Sequence, residues 1–392
     1  MRLESFVLFL TLMSSTFAQD QMFLYSRQNF SSNLYKFISN FVTTNLVISP
    51  LSIDIALNML VPGANGKTLR EMMKTLDYPS NYSINFIQNN FRLFFIDLKK
   101  LSGLEIANKI YYNKLYMPQK NYENALNKNF NAKMESIDFS KSEAAANTIN
   151  SWISNSTHNL IEGALDKDSL NNETSMVIIN CIYLKATWQF KFNKTSTYID
   201  TFYIDMANNL TTQVQYMTQE QKFNIAWYID NLGGASAIEL PYSTPNISMI
   251  IIMPHYESTL DALWANISKF DWSQIGSFMD NSIDVTLRLP KFNISFEKFI
   301  EKDLYAMGMH TLFDPAASIL DHILLKSNRA MKTYISSIYH KAIINVDEEG
   351  TEAAAVTIDM ARADFEFICN QPFMYMLKKD KTIFFMGQFT GR

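Results

Sequence analysis

With 392 residues, 47% of them hydrophobic and 18% charged, the chain is long enough to bury a large core and has the composition of an ordinary globular protein. A net charge of −4 argues against nucleic acid as the main partner, and the pairs Lys99-Lys100 and Lys378-Lys379, too short to make a polyanion site, read as solvated faces. The only two cysteines, Cys181 and Cys369, sit in apolar strand-like runs and read as buried free thiols, because a core of this size needs no disulfide.

The first residues read as an export signal. Arg2 precedes an apolar run over 6–13 that is too short to span a bilayer, and small residues lead up to Ala18. Cleavage there makes 1–18 a removed signal and leaves 19–392 as a single secreted, soluble domain with no membrane contact. Asn-x-Ser/Thr sequons at Asn29, Asn81, Asn155, Asn172, Asn193, Asn209, Asn246, Asn266 and Asn293 are glycosylation candidates. In so Asn-rich a chain several arise by chance, so some are expected to be buried and occupancy to be partial.

Further along, Phe30, Leu34, Phe37, Ile38 and Phe41 recur at helical spacing. A short strand over 45–48 follows. Ser49 and Pro50 then suit the N-cap and first position of a helix whose apolar face is Ile53, Ala56, Leu57 and Leu60. Gly66-Lys67-Thr68 imitates half of a phosphate loop. Val61 stands where the first glycine belongs, however, and a helix precedes it, so Thr68 and Glu71 read as a capping box. Helices are expected over 84–101, 121–131 and 142–161, and strands over 107–116 and 134–139.

The run 176–185 is apolar on both sides, as a central strand covered on both faces should be. Short strands dominate from there: 237–240 and 249–253 around a Pro-Asn turn, and 374–377 pairing with 382–386. Ile283, Val285, Leu287 and Leu289 alternate with Asp284, Thr286 and Arg288, giving a strand with one wet face. Helices fill the first third and strands the rest, so the class is α+β. No repeat, linker or low-complexity segment divides the chain.

The stretch 340–372 stands apart. An apolar strand, Ala342-Ile343-Ile344-Asn345-Val346, runs into Asp347, Glu348, Glu349 and Gly350, then into the small-residue run Thr351-Glu352-Ala353-Ala354-Ala355-Val356-Thr357. A structureless connection of this length is uncommon in a compact domain and is usually functional. An Ala-rich helical turn on a surface loop is the plainer alternative. With period two, Thr351, Ala353, Ala355 and Thr357 share one side, where small side chains could slip between two existing strands. Gly350 supplies the backbone freedom to begin that movement. Asp359 breaks the pattern by placing a charge on the Thr351 side.

The run Glu348-Glu349-Gly350-Thr351-Glu352-Ala353-Ala354-Ala355 resembles the reactive-loop hinge of a serpin. The segment 45–53, Phe313-Asp314-Pro315-Ala316-Ala317 and the ending from Phe373 to Gly387 match the same family in order. The resemblance covers about Phe30 to Gly387. It implies one domain with a large central β-sheet, two smaller sheets, about eight or nine helices and an exposed reactive loop at about 350–366. It also implies an inhibitor of serine proteases and not an enzyme, working as a suicide substrate: the loop is cut, an acyl-enzyme forms, and the loop enters the main sheet. No cofactor or metal is implied, and the expected state is a monomer whose partner is a trypsin-like protease. A non-inhibitory binding or carrier serpin is the alternative.

By the same resemblance Ser49, Ser52, Asn180 and His340 form the polar shutter under the main sheet; taken alone, His340 reads as a satisfied core histidine. Trp188 marks where the loop first enters the sheet. Lys291 pairs with Glu348 there, as a surface ion pair worth about 0–1 kcal/mol. Cys181 and Ala186 replace the family's usual alanine and glycine.

The position of the cut is open. Counting forward from Gly350 puts it between Asp364 and Phe365, and counting back from Pro372 puts it after Ala361, so the loop is about three residues short. Arg362 lies between the two, and a trypsin-like protease, whose specificity pocket holds a carboxylate, would cut Arg362-Ala363. No G-x-S-x-G, H-E-x-x-H or metal-spaced Cys/His cluster supports a hydrolase.

Overall fold

The computed structural model describes the chain except residues 1, 41, 102, 158, 160–162, 185, 256–257, 268, 326–331 and 351–364, and gives the backbone alone for 2–18, 105, 184 and 273. Among the described residues there are eight α-helices: α1 (Arg2–Ser39), α2 (Pro50–Leu60), α3 (Gly66–Thr75), α4 (Ile84–Leu98), α5 (Lys120–Phe130), α6 (Ser142–Ser156), α7 (Leu260–Ile267) and α8 (Glu301–Ala306). The first strands are β1 (Leu46–Ile48), β2 (Leu104–Asn113), β3 (Met117–Pro118), β4 (Lys133–Ile137), β5 (Met176–Leu184) and β6 (Tyr198–Asp205). Next come β7 (Leu210–Gln221), β8 (Asn224–Ile229), β9 (Ala235–Pro241), β10 (Ile247–Met253), β11 (Val285–Pro290) and β12 (Phe292–Phe299). The last are β13 (Leu324–Leu325), β14 (Ile335–Val346), β15 (Phe365–Ile368), β16 (Phe373–Lys379) and β17 (Thr382–Phe389).

The strands form three sheets and a small β3–β13 ladder. A five-stranded sheet runs β12-β14-β5-β2-β4, a six-stranded one β1-β17-β16-β10-β9-β8, and a four-stranded one β15-β11-β7-β6. In the five-stranded sheet β14 lies parallel to β5, with a register that sets His340 opposite Asn180. The strand expected over 176–185 is thus central. Its residues divide between two cores: Ile178 and Ile182 join the large core between the sheets, and Val177, Ile179 and Cys181 join a smaller one with Ala145, Ile149 and Ile153 of α6. That two-sided cover is why no alternation is visible in its sequence.

Local chemistry explains most boundaries. Ser49 caps α2 by accepting the Ser52 amide on its hydroxyl, Pro50 opens the helix, and every residue of α2 is buried. The capping box expected at Thr68 and Glu71 does not form. Asn65 already caps Gly66, so α3 starts earlier, and Thr68 and Glu71 turn inward to bond Thr311. The helix expected over 84–101 stops at Leu98 and the one over 142–161 at Ser156. The first helix is far longer than the apolar spacing from Phe30 predicts, running without a break through Ala18 and Gln19; Phe41 lies outside the described residues.

Cys181 and Cys369 are free and buried, as the composition predicts, and burial pushes the Cys181 thiol up to about 12. The expectation that some sequons are buried fails. Asn81, Asn155, Asn172, Asn209, Asn246 and Asn293 are exposed and Asn29, Asn193 and Asn266 half-buried. Asn209 and Asn246 occupy turns in left-handed backbone, a conformation that short polar side chains tolerate. Among the described residues no helix is long and apolar enough to cross a membrane, and no cluster could hold a metal ion.

Candidate functional site

The seam between β5 and β14 carries a polar row on its inner face. His340, Asn180 and Asn108 sit opposite one another on β14, β5 and β2. The Ser49 amide donates to His340 Nε2 at 3.2 Å, so Nε2 accepts and Nδ1 carries the proton, which goes to Asn180 Oδ1 at 2.6 Å. Asn180 Oδ1 also accepts from Ser52 Oγ at 2.8 Å, and its amide donates to the Ser52 carbonyl at 2.7 Å and to Asn108 Oδ1 at 2.5 Å. Ser49 Oγ donates to the Phe384 carbonyl of β17 at 2.6 Å. The row therefore joins three strands of one sheet to the start of α2 and, through it, to the sheet behind.

Every polar atom of Asn180 is used, and the imidazole uses both nitrogens in its neutral form. Burial pushes the His340 pKa down to about 3, because nothing here compensates a charge taken out of water. On the outer face, Tyr339 of β14 and Val177 and Ile179 of β5 share the α6 core. The two strands are thus held together on both faces.

The chain leaves β14 at the end of this seam and crosses the end of β5. Trp188 is buried there, stacked on Tyr242 with ring centroids 4.3 Å apart. Its indole N–H donates to the Asp347 carbonyl at 2.8 Å and its amide to the Glu349 carbonyl at 3.1 Å; the Phe192 amide donates to the Glu348 carbonyl at 2.9 Å. Gly350 has φ +87°, and a Cβ on it would lie 2.4 Å from Trp188 N, so both conformation and space demand glycine.

The carboxylates at this point are all engaged. Glu348 meets Lys291 at 2.8 Å and accepts from Thr197 Oγ1 at 2.7 Å. The expectation of a surface pair is corrected: the Glu348 side chain is only 6% exposed, because Trp188 and Phe192 fix its backbone inward. Burial alone would raise the Glu348 carboxyl, but the bonds from Lys291 and Thr197 outweigh it and hold it below the usual range. Glu349 meets Lys194 at 2.7 Å and Lys191 at 3.3 Å, and hydrogen bonding to Lys194 lowers its pKa.

Sequence reasoning missed Asn108, Thr197, Lys191, Lys194 and Tyr242. Asn108 had a signal: Ile106, Asn108 and Ile110 share one side of β2, and a lone amide on an apolar side asks for a partner. The others come from loops with no periodicity to read. Of the remaining candidates, Thr351, Glu352, Ala353, Ala354, Ala355, Asp359, Ala361, Arg362, Ala363 and Asp364 lie outside the described residues. Phe365 opens β15, paired in parallel with Val285 and half exposed.

Comparison with known proteins bears on this geometry. The family model described as "Serpin (serine protease inhibitor)" matches residues 25–391. The chain belongs to the serpin family. It is 31% identical over 366 residues to "Serine protease inhibitor 42Dd" of Drosophila melanogaster, covering 91% of this chain and 94% of that one. It is 28% identical to the leukocyte elastase inhibitor of Xenopus tropicalis, covering 93% and 97%. Among solved structures, cleaved Serpin 42Da superposes with a TM-score of 0.84 at 30% identity, covering 95% of this serpin and 99% of that chain. Human thyroxine-binding globulin superposes with a TM-score of 0.83 at 25% identity, covering 93% and 97%. The family is mostly one of protease inhibitors, with some non-inhibitory carriers. The expected serpin fold is the one observed.

Proposed function

We propose that this serpin inhibits a serine protease by offering its reactive loop, at about 350–366, as a suicide substrate. The observation that carries the reading is the seam: β5 and β14 are parallel neighbours, and the chain leaves β14 at their common end through a glycine that can turn it back. A strand returning from Gly350 would run antiparallel to both neighbours and bond to each. The protease forms an acyl-enzyme at the cut residue, and the freed arm carries it along the seam before water can release it.

With the cut at Arg362-Ala363 the arm from Gly350 is twelve residues, about 40 Å at roughly 3.3 Å each. Ordering each residue costs about 1–2 kcal/mol and each new ladder bond contributes about 0.5–1.5 kcal/mol, two bonds per residue in a central strand at most. Those terms nearly cancel, so the drive comes from side-chain burial and from strain relieved in the closed sheet. A trypsin-like protease is expected to form a gel-stable covalent complex that Arg362→Glu abolishes. Simple cleavage and turnover by every protease tried would overturn the reading.

A carrier role is the second reading, favoured by the short loop, by Asp359 and by the likeness to thyroxine-binding globulin. Cleavage without trapping, together with saturable binding of a small apolar ligand, would select it. We further propose that 1–18 is removed on export and that the exposed sequons carry the glycans. The N-terminal sequence and glycopeptide masses of the secreted product check both.

A further inference from the structure

Strand β8 is the edge of the six-stranded sheet, and it contains a bulge. Ala226 pairs with Ala237 and Ile229 with Ala235, so three steps on β8 oppose two on β9. The extra residue turns two consecutive aromatic side chains outward: Trp227 is 45% exposed and Tyr228 62%. Bulges at sheet edges re-aim side chains, and this one aims two large rings at solvent.

Both rings are held. Gly234, at φ +77°, leaves the space the Tyr228 ring occupies; a Cβ there would be 2.6 Å from that ring. Trp227 lies with its centroid 6.1 Å from Phe365 and 6.3 Å from Phe367. Phe365 is itself 48% exposed. Large aromatic side chains kept half in water in fixed positions are the residue type that dominates binding energy at protein interfaces.

Their position names the occupant. Phe365 is covalently tied to each candidate bond: one step from Asp364, two from Ala363, three from Arg362 and four from Ala361. At no more than roughly 3.6 Å per residue, the scissile bond lies within about 15 Å of Phe365 whatever path the chain takes. A protease gripping any of these bonds is therefore brought close to Phe365 and to Trp227 beside it. Asp280, bonded through its backbone to Ile225 of β8, and Asp284, beside the Phe365 partner Val285, are both exposed, with Lys222 the opposing base.

We propose that Trp227, Tyr228 and Phe365 form an exosite for the target protease on the C-terminal side of its cut. It takes an apolar side chain flanked by an arginine or lysine, which suits both the ring faces and the acidic rim. This rests on the inhibitor reading above. Phe365 stays on β15 when the loop is cut, whereas the acyl-enzyme travels with the N-terminal arm. The exosite therefore acts in the encounter and is abandoned in the trapped complex. It sets how fast a protease is caught and not how long it is held.

The test uses the full-length protein and the protease that it traps fastest from a panel of trypsin-like enzymes. Trp227→Ala is expected to lower the second-order rate constant of inhibition about tenfold. The number of inhibitor molecules consumed per protease, and the survival of the complex on a gel, stay as in the wild type. Tyr228→Ala, which leaves the cover over Phe367 in place, should lower the rate in the same sense. Unchanged rates in both variants overturn the exosite and leave the inhibitor reading standing. A fall in rate accompanied by rising consumption marks a defect of insertion and also overturns it. If the wild type traps no protease, the inhibitor reading fails and the exosite with it.

Discussion

The imidazole of His340 accepts from the Ser49 amide and donates to Asn180, so protonation would cost it a bond as well as placing a charge among buried atoms. Its folded pKa, near 3, lies below the unfolded value of about 6.5, so the unfolded chain takes the extra proton. The stability tied to neutral His340 is therefore full above about pH 6.5 and is lost as pH falls toward 3, on the order of 4 kcal/mol over the window. The melting midpoint is expected to drop between pH 6.5 and 4, and to drop less in His340→Gln, which can bond but not titrate. Glu348, with its lowered pKa, also costs stability as the pH falls through the usual carboxylate range, but it adds the same slope to both proteins, which converge only near pH 3, where folded His340 is itself protonated. Equal slopes from pH 6.5 to 4.5 would show that His340 does not titrate on unfolding.

At the scale of elements, Asn180 makes three pieces behave as one. Its side-chain oxygen accepts a hydrogen bond from His340 of β14, its amide group exchanges bonds with Ser52 in the N-terminal turn of α2, and its nitrogen donates to Asn108 of β2. Asn180→Ala leaves His340 Nδ1–H without its acceptor, while the Ser52 hydroxyl keeps the Ser49 carbonyl at 3.2 Å. An orphaned buried donor costs about 1–3 kcal/mol, so a loss of that size and a lower melting midpoint are expected. A substitution that leaves the midpoint in place would mean the seam is held by the α6 core alone. Segment 347–350 is fastened at the end of the seam by backbone bonds to Trp188 and Phe192 and by Lys191, Lys194 and Lys291; on the proposed mechanism these are the anchors an incoming strand would have to pass.

For the whole molecule, the proposal makes the intact form the less stable arrangement of the same covalent chain. Cleaving the loop between Ala361 and Phe365 should let the arm enter between β5 and β14, and the nicked protein should melt well above the intact one. Calorimetry before and after limited proteolysis reads this directly. An unchanged midpoint would remove the stored-energy mechanism and favour the carrier reading. On that proposal premature entry is resisted because the seam is closed by polar bonds on one face and by apolar packing on the other, and both would have to give way together.

The α+β class, the central strand, the Ser49-Pro50 helix start and the backbone freedom used at Gly350 were legible in the residues themselves. Each is dictated by local rules: side-chain period, capping and backbone freedom. The meeting of Ser49, Ser52, Asn180 and His340 was legible only through family resemblance, and the fifth member, Asn108, only as an unexplained amide on an apolar side. What folding alone decided were contacts between residues far apart in the chain: Lys194 and Lys191 on Glu349, the burial of Glu348, and the bulge that turns Trp227 outward. Those depend on register and on which loops close over a strand's end, and a linear pattern carries no record of either.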